Sequence, residues 1–445
     1  MRVLSYGFVL IAMLWTTTGC ETFDFDSIQP IDAVDANLAI TDLNSAQIAR
    51  AGIYDALQMG AAFDGYLASW QFFSDESDWS GTFPTREEFD IFSVSPSNAT
   101  LSGFFSDYYF TINTVNTFID ALNRVTGDEA LTDEVRASLE GEARFARALM
   151  YFYVTQGWTD APLVLTPTLD ANDPALNASA SPQRAIYAQI EEDLNFAAGN
   201  IKDGSTLGMS SAAANALLAR VQLYQGEWQE AYNTATKVLG DDFDLTAFPY
   251  LSDRLFTIDY NGADGNSFAF FYGPSSLNGR YTIHPSDTLI GTYEDGDLRF
   301  EQSIAFSAEG PFSIKYDDFA TATGSQTDPI LVIRHAEVAL IAAEAAAELG
   351  NFDDANMWFN MVRARAGLDE VELDSDNFED AILKERFVEL AQEGGHRLWD
   401  LRRRGLAVEA LGPLGYDDCD DRWPFPQREL DRNPNLERNS ACLSG

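Results

Sequence analysis

Lysine is scarce in this chain: of 28 basic residues among 445 only four are lysine, and they face 70 aspartates and glutamates for a formal net charge of −42. A surface of that sign gives no electrostatic hold on nucleic acid, and it makes an anionic membrane face or an anionic glycan a poor partner. Histidine and cysteine are rarer still, three of each. His284, His335 and His396 are scattered, so neither a metal centre nor a cofactor is expected. The acidic runs Asp241-Asp242 and Asp417-Asp418 with Asp420-Asp421 lack the spacing of a dedicated calcium loop. No His-Glu-x-x-His, no Gly-x-Ser-x-Gly and no spare cysteine nucleophile are present, which leaves an exported glycoside hydrolase or peptidase without a motif. Carboxylate pairs at hydrolase spacing arise from the abundance of acids alone and are no evidence of catalysis. The hydrophobic share of 46% is that of a folded protein, so the acidity belongs to a solvated surface.

Long apolar runs are also missing, and the one apolar stretch at the N-terminus, Gly7 to Trp15, is too short to span a bilayer. Preceded by Arg2 and followed by Thr16-Thr17-Thr18-Gly19-Cys20, it reads as an export signal over residues 1–19. Gly19-Cys20 after small residues resembles a lipobox, with Thr17 where a bulky aliphatic residue usually stands. Lipid on Cys20 would hold the chain at a membrane, with the acidic residues 20–40 as a tether and a single domain over 41–445. In an exported protein the remaining thiols, Cys419 and Cys442, are most simply a disulfide that pins the tail.

Helical periodicity dominates the rest of the chain. Ala216 to Leu239, with Gly226, Trp228 and Ala231, lines up at an offset of 124 with Leu340 to Arg363, with Gly350, Phe352 and Ala355. Each copy is an alanine-rich helix, a glycine, then an aromatic residue and an alanine opening a second antiparallel helix, the logic of a tetratricopeptide pair. Glu142 to Gln156 and Gln183 to Ala198 read as further helices of this set. Near the C-terminus, Leu383, Phe387, Leu390 and Ala391 share one helical face, Asn377 with Asp380 suggests a capping box, Gly394-Gly395 ends that helix, and His396 to Arg404 starts a shorter one. Arg386, Glu389, Glu393, Arg397 and Asp400 are spaced by three or four. That spacing predicts a buried or half-buried structural ion network, of side-chain pairs on neighbouring turns, that fixes the helix pair, in preference to an acid-base site. Pro424, Pro426 and Pro434 predict an extended C-terminal wrap.

The blocks Lys384 to Arg403 and Pro424 to Leu436, with Gly141-Glu142-Ala143-Arg144-Phe145-Ala146-Arg147-Ala148, Arg334-His335-Ala336-Glu337-Val338 and Asn360 to Gly367 in this order, resemble the SusD/RagB family. The resemblance implies a mainly α, SusD-like fold: tetratricopeptide-like helix pairs as scaffold, plus a less regular, loop-rich ligand-binding region. It also implies a cell-surface, outer-membrane lipoprotein that holds oligosaccharide or polysaccharide, or in some members peptide, over a TonB-dependent, SusC-like transporter, without chemistry of its own.

Two long segments differ in texture from the scaffold, about 66–92 and 245–315, both rich in aromatic and small polar residues. Long ordered loops on a rigid scaffold are where binding residues gather. A sugar site needs exposed aromatic plates flanked by carboxylates, amides or arginines. About 80 to 100 Å² of apolar contact per ring is worth about 2 kcal/mol, and a millimolar Kd needs only about −4 kcal/mol. The candidates are Trp70, Asp75, Asp78 and Trp79 on the first segment and Tyr272, Arg280 and Tyr281 on the second. If these rings are instead core, as large aromatics usually are, a helical scaffold with no small ligand becomes the better reading.

Overall fold

The computed structural model describes residues 40–438 except 63–65, 169, 171–172, 203–207, 241–242, 246–247, 249, 263–264 and 320–326. The export signal, Cys20 with residues 20–39 of the tether, and Cys442 lie outside the described residues.

The first half runs α1 (Leu43–Ala62), α2 (Tyr66–Phe72), β1 (Ser77–Trp79), α3 (Pro84–Asp90), α4 (Ala99–Arg124), α5 (Asp133–Trp158), β2 (Ala161–Pro162), β3 (Ala180–Ser181), α6 (Gln183–Asn200), α7 (Ser211–Gln225) and α8 (Trp228–Leu239). Short elements come next: β4 (Arg254–Ile258), α9 (Phe268–Tyr272), β5 (Ile283–Pro285), α10 (Asp287–Thr292), α11 (Leu298–Ser303), β6 (Ile304–Phe306), β7 (Pro311–Ser313) and β8 (Ile330–Arg334). The chain then returns to helix with α12 (His335–Glu348), α13 (Phe352–Arg365), α14 (Phe378–Glu389), α15 (His396–Arg403), α16 (Ala407–Leu411) and α17 (Gln427–Arg432). The strands form antiparallel two-stranded ribbons, β1–β5, β2–β3, β4–β8 and β6–β7. Such ribbons are marginal alone and must lean on the helices.

The 124-residue repeat is visible in the helix starts. Ser211 and Trp228 open α7 and α8, and His335 and Phe352, each 124 residues on, open α12 and α13. Gly226 and Gly350 both take φ 74°, the left-handed conformation that lets the chain reverse without a Cβ penalty. Ala231 and Ala355 are fully buried, so the second helix of each pair lies close on the first. Helices α4, α5, α6, α7, α8, α12 and α13 pack in succession, and residues 240–334 are an insertion between two scaffold pairs. Side-chain caps fix three entries: Asn98, Thr132 and Ser210 accept the backbone N–H of Leu101, Val135 and Ala213. The expected cap at Asn377 does not form; its side chain instead serves the preceding turn, accepting from Asp374 N–H and donating to Glu372 O.

The C-terminal wrap closes the core. Trp423 stacks on Trp70 at 3.8 Å and 24°, and meets Phe89 and Trp158 edge-on. Its N–H donates to Gly157 O at 2.7 Å, and Trp158 Nε1 donates to Pro424 O at 2.9 Å. A Cβ at Gly157 would lie 3.0 Å from the Trp423 ring, so the residue before Trp158 has little room for a side chain. Cys419 is disulfide-bonded, to a partner outside the described residues.

Charge, unusually, is also internal. Arg334 is fully buried and bonds Asp253 at 3.1 Å, Glu389 at 2.9 Å and Glu393 at 2.8 Å. Glu389 takes Arg365 and Arg299 as well. Among the described residues the connected set holds six cations (Arg299, Lys315, Arg334, Arg363, Arg365, Lys384) and six acids (Asp253, Glu294, Asp297, Glu385, Glu389, Glu393). Arg386 joins α14 to α15 through Asp400 at 2.7 Å, and Arg403 ties Asp400 to Glu344 on α12.

The local pairing expected from the three- and four-residue spacing is therefore not the geometry. Only Arg386–Asp400 joins two members of that block; Glu389, Glu393 and Arg397 reach across the fold. The cause is the turn after Glu389, where Gln392 at φ 64° and Gly394 at φ 119° break the helix, so 389, 393 and 397 share no helical face. Burial alone would push the Glu389 carboxyl up, but Arg365, Arg334 and Arg299 together hold it well below the usual carboxylate range. His396, with no partner for Nδ1 among the described residues, is pushed down to about 3 by burial, against the pull of Glu337.

Replacing Trp423 by Ala is expected to lower unfolding stability by about 3–5 kcal/mol, read by urea denaturation. Met357→Ala on the exposed side of α13 should change it by less than about 0.5 kcal/mol. His396 supplies a pH test. Its folded pKa lies below the unfolded value near 6.5, so its contribution is complete above that pH and is lost as pH falls toward about 3. Between pH 6 and 4 wild type should lose about 1 kcal/mol per pH unit relative to His396→Gln, and parallel curves would contradict this.

Candidate functional site

The two aromatic segments meet in the β1–β5 ribbon. Its register sets Ser77 opposite Pro285, Asp78 opposite His284 and Trp79 opposite Ile283. Because side chains alternate across a strand, Ser77, Trp79, Ile283 and Pro285 turn inward while Asp78 and His284 share the outer face. Asp78 Oδ2 lies 3.8 Å from His284 Nδ1 with 58% of its side chain exposed. Burial raises its carboxyl, and His284 draws it back. The His284 ring stacks on Tyr281 at 5.2 Å and 13°.

Tyr281 has φ 49°, unusual for a bulky residue, and is held there from both ends. Its hydroxyl donates to Pro311 O at 3.1 Å, and its carbonyl accepts from Ser80 Oγ at 3.1 Å. The hydroxyl sits against Gly310, where a Cβ would lie 2.4 Å from it; the β6–β7 turn thus needs glycine at that place.

The first segment supplies the other side. Trp79 folds over Gly81, stacks against Phe83 at 6.2 Å and 26°, and is 7% exposed. Its backbone N–H donates to Asp90 at 3.0 Å, and burial raises the Asp90 carboxyl to about 6 despite that bond. The Arg86 guanidinium lies under these rings, 5.3 Å from Trp79 and 4.6 Å from Phe271. Phe83 is 39% exposed and carries Arg280 over its face at 4.9 Å. Phe83 precedes Pro84, which holds it extended at φ −89°, ψ 108° and keeps it out of α3. Asp78, His284 and Tyr281 form one group, and Arg280 over Phe83, which leans on the buried Trp79, forms a second; the adjacent residues Arg280 and Tyr281 join them into one strip along the ribbon. It offers one ring face, a guanidinium that can swing, a carboxylate and an imidazole.

Three of the seven candidates do not belong to this strip. Trp70 is fully buried between Trp423 and Trp399 and has no face to offer. Tyr272 is fully buried with its hydroxyl donating to Gln71. Asp75 is buried in a two-pronged ion pair with Arg397, 2.7 Å on each arm. Asp78, Arg280 and Tyr281 are on the strip, and Trp79 contributes an edge. Phe83 and His284 were not among the candidates; the dipeptide Phe83-Pro84 is the one local signal that could have singled out the first, and the pairing that places the second has none.

A cavity of about 320 Å³ opens elsewhere, between α4 and α17. Its amides are already spent, Asn113 exchanging two bonds with Thr168, and Asn116 serving Val164, Thr166 and Arg147. Among the described residues no group of three His, Cys, Asp or Glu is placed to hold a metal ion, and no helix is long and apolar enough to cross a membrane.

Comparison with known proteins agrees with the fold. Residues 307–441 match the profile of the SusD family, and residues 31–223 match a second profile described as starch-binding and associating with the outer membrane. SusD-like protein P2 of Formosa agariphila is 27% identical, over 81% of this chain and 84% of its own. SusD-like protein P38 of the same organism is 25% identical over 98% of each. Among solved structures, a laminarin binding SusD-like protein is 25% identical with a TM-score of 0.76, covering 90% of this chain and all of that one. A SusD superfamily protein from Bacteroides vulgatus reaches a TM-score of 0.78 at 22% identity, over 89% of this chain and 98% of that one. With its scaffold pairs, its inserted segment and its C-terminal wrap all matched in this way, the chain belongs to the SusD/RagB family.

Proposed function

We propose that this protein captures oligosaccharide or polysaccharide at the outer-membrane surface, on the strip along the β1–β5 ribbon, and passes it without chemistry to a TonB-dependent, SusC-like transporter. Lipid at Cys20 would hold it there. The observation that carries the reading is the ribbon register, which gathers an exposed ring, an arginine, a carboxylate and an imidazole from segments about 200 residues apart. The outer-membrane, starch-binding description of the N-terminal profile and the laminarin binding relative support it.

The physical fit is to a neutral sugar. The C–H face of a pyranose can replace Arg280 over Phe83, burying apolar surface worth about 2 kcal/mol. Arg280, Asp78 and His284 then have ring hydroxyls within their chemistry. A net charge of −42 disfavours a polyanion. Weak contact per unit is sufficient for a polymer that is also retained by a transporter partner.

The test is binding of the purified protein to neutral, acidic and amino-sugar polysaccharides, with peptides as controls. A neutral glycan should bind, Phe83→Ala should weaken it about tenfold, equivalent to 1.4 kcal/mol, with a small fall in Tm, and Arg280→Ala should weaken it several-fold without change in Tm. Trp70→Ala should instead lower Tm. Glycan binding indifferent to Phe83 and Arg280, or a signal from peptides alone, would overturn this reading.

A further inference from the structure

Beneath the strip lies a carboxyl with no cation paired to it among the described residues. Glu76 occupies the turn between α2 and β1 and is 1% exposed. Its Oε1 accepts the backbone N–H of Gln392 at 2.8 Å. Gln392 stands at φ 64°, and its side-chain oxygen and carbonyl are held by Ser313 and Tyr316. On the other side, Glu76 O accepts Ser286 N–H at 3.1 Å, and Asp75 O accepts Ser286 Oγ–H at 2.5 Å. Ser286 directly follows β5, and Ser77 directly follows Glu76. One two-residue turn therefore ties both strands of the ribbon to the Gln392 turn between α14 and α15.

The surrounding charges leave Glu76 unmatched. The charge of Lys315 bears on it, but the three N–H groups of that lysine go to Glu393 Oε1 at 2.7 Å, Ala391 O at 2.8 Å and Glu389 O at 3.4 Å. Arg397 is committed to Asp75. Glu393, itself bonded to Arg334, and Asp75 add negative potential, and the buried Tyr272 hydroxyl is committed to Gln71. The adjoining network of six cations and six acids is already neutral, so an ionised Glu76 would be a seventh acid.

We infer that Glu76 is a positioning residue for the strip: as the uncharged acid it clamps β1 and Ser286 to the Gln392 turn, and release of its proton to solvent loosens that clamp. As a residue for positioning glycan it rests on the binding reading above; as a clamp it does not. Burial raises the carboxyl to about 8, against the Gln392 N–H and Lys315, so the change falls just above neutral pH. A raised carboxyl favours the protonated folded form, and stability from this group is full below the unfolded value near 4.5 and lost as pH rises through about 8.

The experiment is hydrogen exchange by mass spectrometry on the unliganded protein from pH 6.5 to 9.5, expressed as protection factors for peptides spanning 75–80, 283–287 and 390–394. In wild type, protection of all three should fall together from pH 6.5 to about 8 and level off above it. Glu76→Gln, which keeps the acceptor without the charge, should hold protection flat, and Ser286→Ala should lower it at every pH while keeping the dependence. Equal profiles in wild type and Glu76→Gln would overturn the clamp. Affinity for a bound glycan should fall about tenfold between pH 7 and 9, the loss expected when about a tenth of the protein stays competent, and should be steady in Glu76→Gln. Constant wild-type affinity alongside falling protection would overturn the positioning role. If no glycan binds at any pH, the binding reading fails, and the exchange data alone decide the clamp.

Discussion

Arg334 cannot leave the interior and cannot stay there alone. A guanidinium out of water costs several kcal/mol unless carboxylates meet it, and those that do come from separate parts of the chain: Asp253 beside β4, Glu389 at the end of α14 and Glu393 in the turn beyond it. Removing one partner of such a group is worth about 3–5 kcal/mol, a large fraction of the 5–15 kcal/mol that holds a typical domain folded. What the network contributes is registry more than net stability. An apolar core tolerates small slips, whereas Arg334, Arg365 and Arg299 converge on one carboxylate in a single arrangement. The inserted segment meets the helical scaffold at this joint.

The strip inherits its position from the same joint. Asp75 with Arg397 and Glu76 with Gln392 carry the C-terminal turn to the foot of β1, and Ser286 carries it on to β5. The arginines are distributed accordingly. Many of them lie inside, paired with buried acids, and a surface on a chain of net charge −42 is left strongly acidic. Arg280 over Phe83 is thus a local positive site on an acidic exterior, suited to orienting a neutral hydroxylated ligand and poorly suited to gathering polyanions.

Much of the scaffold was legible because its signals are local. The glycines at 226 and 350, the aromatics after them and the alanines at 231 and 355 mark the same turn twice, and both helix pairs begin at those marks. The proposed binding surface was only half legible, for a physical reason. Helix α2 is buried over every residue from Leu67 to Phe72, so no polar stripe distinguishes Trp70 as core. Asp75 and Glu76 look solvated in sequence because their partners, Arg397 and Gln392, lie more than 300 residues away. The ribbon that exposes Phe83 and pairs Asp78 with His284 is likewise a long-range contact, without periodicity to announce it.

The most direct measurement is a crystal structure with a bound neutral oligosaccharide. A pyranose face within about 4 Å of the Phe83 ring, with Arg280 displaced and Asp78 or His284 bonded to a ring hydroxyl, is the predicted result. Sugar seated instead in the cavity between α4 and α17, with the ribbon edge bare and Arg280 still over Phe83, would contradict the assignment of this surface.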